Sequence, residues 1–379
     1  MKSSTTDLLA LSFAAQLNTT GGSDSLGWKF QRLGIGQSCG VDKLTVRCGS
    51  QSIDILPTRG MGIWQAHQGD VRFGWDSPIA GPIHPMWVDV NEPSGLGWLD
   101  GFDEMMARCG LASNGAPEFD ATGQLIWPLH GRIANLPASK LSVEIDEAVG
   151  QITVRGTVVE NRFHFRRLQL ETTISMRLDS NEISIADRVT NLSDRTDTIQ
   201  MLYHNNFGSP VLEKGSRFFA PVKKLVPRNL HAAAGLNQWD QYGAPDPEYA
   251  EQVYFMKLAA DTDQESLVML SNAQQSTAVS IRHNVSQLPF FSLWKNTVGT
   301  SDGYVTGLEP ATNFPNPHSF EKQHDRTIHL GPGNDYTMSL HIGLLTEPTA
   351  IQATLEKIEM LQPGATEIHE GPTSDWCST

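Results

Sequence analysis

Between residues 141 and 198, apolar and polar side chains alternate with a period of two. Leu168, Leu170, Thr172, Ile174, Met176 and Leu178 fall on one face of an extended chain. Ile183, Ile185 and Val189 share a face after a turn at residues 179–181. This pattern predicts an antiparallel meander with one buried face. Leu44-Thr45-Val46, Ile53-Asp54-Ile55-Leu56 and the stretches 267–270 and 278–282 read as further strands. A last strand, 336–344, follows the turn Gly331-Pro332-Gly333. Helix is predicted near the end, where Ile351, Leu355 and Ile358 share a helical face. Thr349-Ala350-Ile351-Gln352 has the form of a capping box, and Pro363 is the expected stop. A single helical turn is expected over Asp103 to Arg108. The fold class is therefore all-β, a sandwich with short helices. Its body spans 27–346, preceded by an arm or packed helix over 1–26 and followed by a helix and poorly ordered tail over 347–379.

Composition narrows the functions without changing the fold. A chain of 379 residues, 39% hydrophobic and 18% charged, can bury a large core. Its 33 glycines and 21 prolines suit many strands joined by turns. The net charge of −14 argues against nucleic acid, whose phosphates need basic patches, and favours a neutral or weakly polar small molecule. No apolar run has the length to cross a bilayer. The short run from Leu8 to Ala15 follows Asp7 and lacks the flanks of a signal peptide, so a cytoplasmic protein is expected. Cys39, Cys48, Cys109 and Cys377 form no CxxC pair, which fits a reducing compartment. His318, His324 and His329 match no helical metal-ligand spacing, and no metal is expected. Nothing in the pattern sets an oligomeric state.

Candidate chemistry gathers in a few stretches. In Gly303-Tyr304-Val305-Thr306-Gly307-Leu308-Glu309-Pro310, residues 304–306 read as a strand end. Gly307 permits a bend or close approach, and Pro310 keeps Glu309 extended. A carboxylate is thus expected where a strand runs into a loop, which is where catalytic groups concentrate. Arg59, between strands in Leu56-Pro57-Thr58-Arg59-Gly60-Met61-Gly62, reads either as a fork onto sugar hydroxyls or as an ordinary ion pair. Pro128-Leu129-His130-Gly131-Arg132 presents a histidine and an arginine, and Tyr203-His204-Asn205-Asn206 ends another strand. Trp87, Trp98 and Phe102 lie in a Pro/Gly-rich stretch and read as stacking surfaces or as core. Trp294 reads as a stacking platform or as packing, and Lys295 as a hydroxyl contact or a surface cation. The polar run 231–251 reads as a long loop, in the position of a lid.

The order of these segments resembles that of the aldose 1-epimerases (galactose mutarotases). The flanks Ile55-Leu56-Pro57-Thr58-Arg59-Gly60-Met61-Gly62-Ile63 and 97–104 resemble an uncharacterised bacterial branch of that family. The resemblance implies a large mutarotase-like β-supersandwich and an isomerase that interconverts sugar anomers, with no cofactor. It implies Glu309 as the base for the O1 proton and His204 as the acid for the ring oxygen, on opposite sides of the ring. The imidazolium is the expected starting form of His204. Arg59, His130, Arg132, Asn206, Trp294 and Lys295 would bind the sugar. Two alternatives stay open: the same pair could isomerise or β-eliminate a keto-sugar, or the protein could bind carbohydrate without turning it over.

Overall fold

The computed structural model describes residues 4–8, 18–362 and 364–378. Among them, 14 strands form one sheet and nine form another. The alternating segments 141–198 supply the long strands Gln151–Arg162, Arg166–Arg177 and Glu182–Asn191, paired antiparallel in sequence order. Their inward residues, including Leu168, Leu170, Ile174, Ile185 and Val189, are buried against Leu44, Ile53, Ile63, Met201 and Tyr203 of the larger sheet. The chain is therefore a β-sandwich whose core lies between two sheets. Leu178 lies beyond its strand and is exposed.

A fully buried ion pair crosses that core. Arg108 from the large sheet donates to both carboxylate oxygens of Asp187 on the smaller one, at 2.6 and 3.0 Å. Tyr203 Oη and Thr172 Oγ1 complete the cluster. Charges in such a place require full pairing, because a lone buried charge is costly.

Several local expectations are corrected. Asp103 to Arg108 is not a helical turn: the turn comes earlier, over Gly97–Gly101, and Met106–Leu111 is a wholly buried strand. The last helix runs Pro348–Leu361 with Glu347 as its cap residue and no side-chain cap bond, so Thr349 is already helical and no capping box forms. Proline at the first helical position needs no amide donor, which moves the start forward. Pro363, the expected stop, lies outside the described residues. The tail is not loose. Glu367–Ile368 adds a parallel strand to Val222–Pro227, and Trp376 and Cys377 are buried beside Phe314. The arm contributes edge strands, Ser4–Asp7 to the smaller sheet and Asn18–Gly22 to the larger, while much of its apolar run, 9–17, lies outside the described residues.

Candidate active site

Three adjacent strands of the large sheet build the site: Asp197–Phe207, Val305–Ala311 and Phe290–Asn296. Contrary to expectation, neither Glu309 nor His204 stands at a strand end; both lie within strands and are buried. The register pairs Asn205 with Leu308 and Asn206 with Gly307, which sets His204 opposite Glu309. Side chains alternate faces along a strand. Tyr203 therefore enters the sandwich core, while His204 emerges on the other face, under the loops of 75–134. Phe291 pairs with Pro310, so the proline is accepted inside the sheet.

His204 Nε2 lies 3.2 Å from Glu309 Oε1. On the other side of the ring, Nδ1 is 2.6 Å from Asn206 Oδ1. Asn206 Nδ2 donates to the carbonyls of Glu104 and His204, which fixes the amide with its oxygen towards the ring. Nδ1 therefore carries a proton, and the lone pair of neutral His204 is at Nε2, facing Glu309. Burial holds the imidazole down to about 3, helped by nearby His130, and pushes the Glu309 carboxyl well above its ordinary range. Burial thus favours the neutral pair over imidazolium and carboxylate, against imidazolium as the starting form. The placement of the two groups on opposite sides of a ring is corrected, since 3.2 Å leaves nothing room between them.

His130 joins them. It has a left-handed backbone, φ 56°, and its Nδ1 lies 2.9 Å from the carbonyl of Asn114, to which it can only donate. Its Nε2 is left as an acceptor, and burial lowers its pKa to about 4. The ring stands edge-on to Trp98 at 4.6 Å and 5.4 Å from His204, centroid to centroid. Trp98 Nε1 is buried with no partner among the described residues.

Gly307 keeps the floor open. A Cβ there would lie 2.5 Å from Glu309 Oε1, 3.1 Å from His204 Cε1 and 3.2 Å from Trp294 Cε3. Above this floor is a cavity of about 280 Å³ into which His130, His204, Glu309 and Trp294 all face. The expected site residues thus divide into two groups. These four come together; Arg59, Arg132, Asn206 and Lys295 do not line the cavity.

Each absence has a physical reason. Arg59 is 1% exposed and engaged: it pairs with Glu104 and donates to Asn135 Oδ1 and the carbonyls of Ile83 and Gly101. It props the Gly97–Gly101 turn from behind, buried away from the cavity. Arg132 bonds Asn91 and lines a separate hollow with Glu160 and Arg166. Asn206 acts on His204 and not on a ligand. Lys295 Nζ donates to the carbonyls of Gln238 and Gln241 at 2.7 Å each, pinning the loop of 231–251.

The cavity's arginine is one that sequence reasoning passed over, Arg228. It lies 3.6 Å from Glu251, whose other oxygen accepts from Trp294 Nε1 at 2.7 Å. Glu251 ends the loop read as a lid and Arg228 lies just before its start, so the signal marked the loop but not the arginine. Trp98 and Phe102 line the cavity, whereas Trp87 does not. The three histidines 318, 324 and 329 make no cluster: His318 packs on Trp127 and His324 bonds its own helix. Among the described residues no group of three or more His, Cys, Asp or Glu could hold a metal ion. No helix among them is long and apolar enough to cross a membrane.

The sandwich is that of a galactose mutarotase-like protein. A structure from Klebsiella pneumoniae, described as a candidate aldose 1-epimerase, matches with a TM-score of 0.92 at 34% identity, covering 98% of this chain and 99% of that one. A galactose mutarotase-like protein from Clostridium acetobutylicum (TM-score 0.59, 13% identity, 86% of this chain and 100% of that one) shares the fold. So does a galactose 1-epimerase from Lactobacillus acidophilus (0.56, 12%, 85% and 100%). The chain belongs to the aldose 1-epimerase-like superfamily and, within it, to the domain family of unknown function DUF4432, whose model matches residues 38–344. No match is found among curated proteins.

Proposed function

We propose that the protein is an aldose 1-epimerase, opening and reclosing the ring of a free sugar with His204 and Glu309. The observation that carries this is the 3.2 Å contact of imidazole and carboxyl, both buried at the floor of a small cavity. The two oxygens that exchange protons in ring opening, O1 and the ring oxygen, are bonded to one carbon. Two groups in contact can therefore reach both from one side.

The step balances without an outside reagent. His204 Nε2 takes the O1 proton, the O1 electrons form the carbonyl, the bond from C1 to the ring oxygen breaks, and Glu309 protonates that oxygen. The pair is left as imidazolium and carboxylate, still adjacent, so no net charge enters the cavity. After rotation about C1–C2 the same transfers run backwards on the other carbonyl face, with Glu309 as base and His204 as acid. Each residue thus acts once as acid and once as base in one turnover, His204 at O1 and Glu309 at the ring oxygen, the reverse of the assignment that the family resemblance implies. Asn206 holds the tautomer that leaves Nε2 free, and His130 Nε2 is placed to accept from a neighbouring hydroxyl.

Anomer exchange in a panel of aldoses, followed by proton NMR, tests the reading. Wild-type protein should accelerate exchange in at least one sugar, and Glu309→Gln should lose about 10²–10⁴ of that rate, the usual cost of removing a positioned acid or base. Elimination products without anomer exchange, or calorimetric binding without turnover, would sink it.

A further inference from the structure

The cavity's two walls differ in chemistry. One is made of loops stitched together by backbone bonds: Leu129 N to the carbonyl of Gly95, His130 N to that of Gly115, and Ala116 N to that of Pro315. It presents Leu96, Leu99, Ala116, Pro117, Leu129 and Pro315, with the rings of Trp98, Phe102 and His130 beside them. Leu96 and Leu99 are each 44% exposed at its rim. Apolar side chains left open beside a cavity mark a ligand contact more than a fold requirement. The other wall carries Arg228, Glu251 and Trp294, held in register by their mutual bonds. The catalytic pair lies on the floor.

A pyranose with C1 and its ring oxygen on that pair has two dissimilar flanks. Beyond the ring oxygen comes C5 with its substituent; beyond C1 come C2 and C3 with their hydroxyls. The hydroxyl flank matches Arg228 and Glu251. A hydroxymethyl group seated on Leu96, Leu99 and Leu129, out of reach of His130 and Trp98 Nε1, would give up water partners and gain none, which is costly. A methyl group there would bury apolar surface instead. The cavity of about 280 Å³ has room for one ring, near the lower end of the about 300–1,000 Å³ usual for small-molecule sites.

We propose that the substrate is a 6-deoxyaldopyranose, a sugar with a methyl group on C5, seated with that methyl on the Leu96–Leu99–Leu129 wall. This rests on the epimerase reading of the same site. The test uses series that differ only at C5, as hydroxymethyl, methyl and hydrogen: D-galactose, D-fucose and L-arabinose; L-galactose, L-fucose and D-arabinose; D-glucose, D-quinovose and D-xylose; L-mannose, L-rhamnose and L-lyxose. In the series that is turned over, kcat/KM for the methyl member should exceed the hydroxymethyl member by about 10- to 10²-fold, the range over which an apolar pocket rejects an added hydroxyl. It should also exceed the hydrogen member, which leaves the wall empty. Leu99→Asn, a change at an exposed rim position, should cut the methyl-to-hydroxymethyl ratio at least threefold. A hydroxymethyl or hydrogen member that equals or beats its methyl homologue, or a ratio unmoved in Leu99→Asn, overturns the inference while the epimerase reading stands. No exchange in any series overturns both.

Discussion

His204 and Glu309 lie 3.2 Å apart, and the pH behaviour of the pair follows from which group holds a proton. Burial lowers the imidazole to about 3 from an ordinary 6.5 and raises the carboxyl above an ordinary 4.5. The working form, with one proton on the pair, gains a second only below the lowered histidine value. It loses its proton only above the raised glutamate value. The expected kcat/KM profile for anomer exchange therefore falls in acid below the lowered histidine value and in alkali above the raised glutamate value, a wider plateau than unperturbed groups would give. A narrow peak between 4.5 and 6.5 would mean an unperturbed carboxylate and imidazolium, and would count against this proton placement. Gly307 is the second residue whose role is local. Gly307→Ala puts a methyl 2.5 Å from Glu309 Oε1. It should slow exchange at least tenfold while leaving the thermal unfolding midpoint within a few degrees; normal turnover would show that the floor yields. The sequence showed this glycine as a place for a bend or a close approach, and the close approach is the one that occurs.

At the scale of elements, the Gly97–Gly101 turn brings Trp98 and Phe102 over His204, with ring centroids 6.0 and 5.0 Å away. Arg59 holds that turn through Gly101 while its charge is matched by Glu104. Removing one partner of a buried pair strands the other, at a cost of about 3–5 kcal/mol. Arg59→Ala should accordingly lower the denaturant midpoint by an amount of that order. A protein of wild-type stability with only a raised KM would restore Arg59 as a sugar ligand. Sequence reasoning offered both readings, fork and ion pair. A turn-mouth arginine looks the same in either case until its carboxylate partner, 45 residues away, is located.

For the whole molecule, the C-terminal segment closes one edge of the large sheet. Trp376 packs against Phe314 at 4.7 Å between ring centroids, and its carbonyl accepts from Asn316. Phe314 and Asn316 lie just past the strand that carries Glu309. Trp376→Ala should destabilise by about 3–5 kcal/mol, as large-to-small changes at buried aromatics do. Thermal unfolding measures this, and an unchanged midpoint would show the tail to be an accessory. Its polar composition gave no sign of docking, because two adjacent buried residues, Trp376 and Cys377, do not make a periodic pattern.

The sequence by itself determined the strands, since alternation at 141–198 can bury one face only as a sheet, and it determined the terminal helix through the spacing of Ile351, Leu355 and Ile358. It also marked His204, Glu309, His130 and Trp294 by residue type and segment order. Tertiary structure alone decided which cations serve the cavity. Arg59, Arg132 and Lys295 are turned to Glu104, Asn91 and two loop carbonyls, and Arg228 is brought in instead. It also decided the protonation of the catalytic pair. A side chain's partners and its desolvation depend on what the fold packs around it from distant segments, and no local pattern along the chain carries that information.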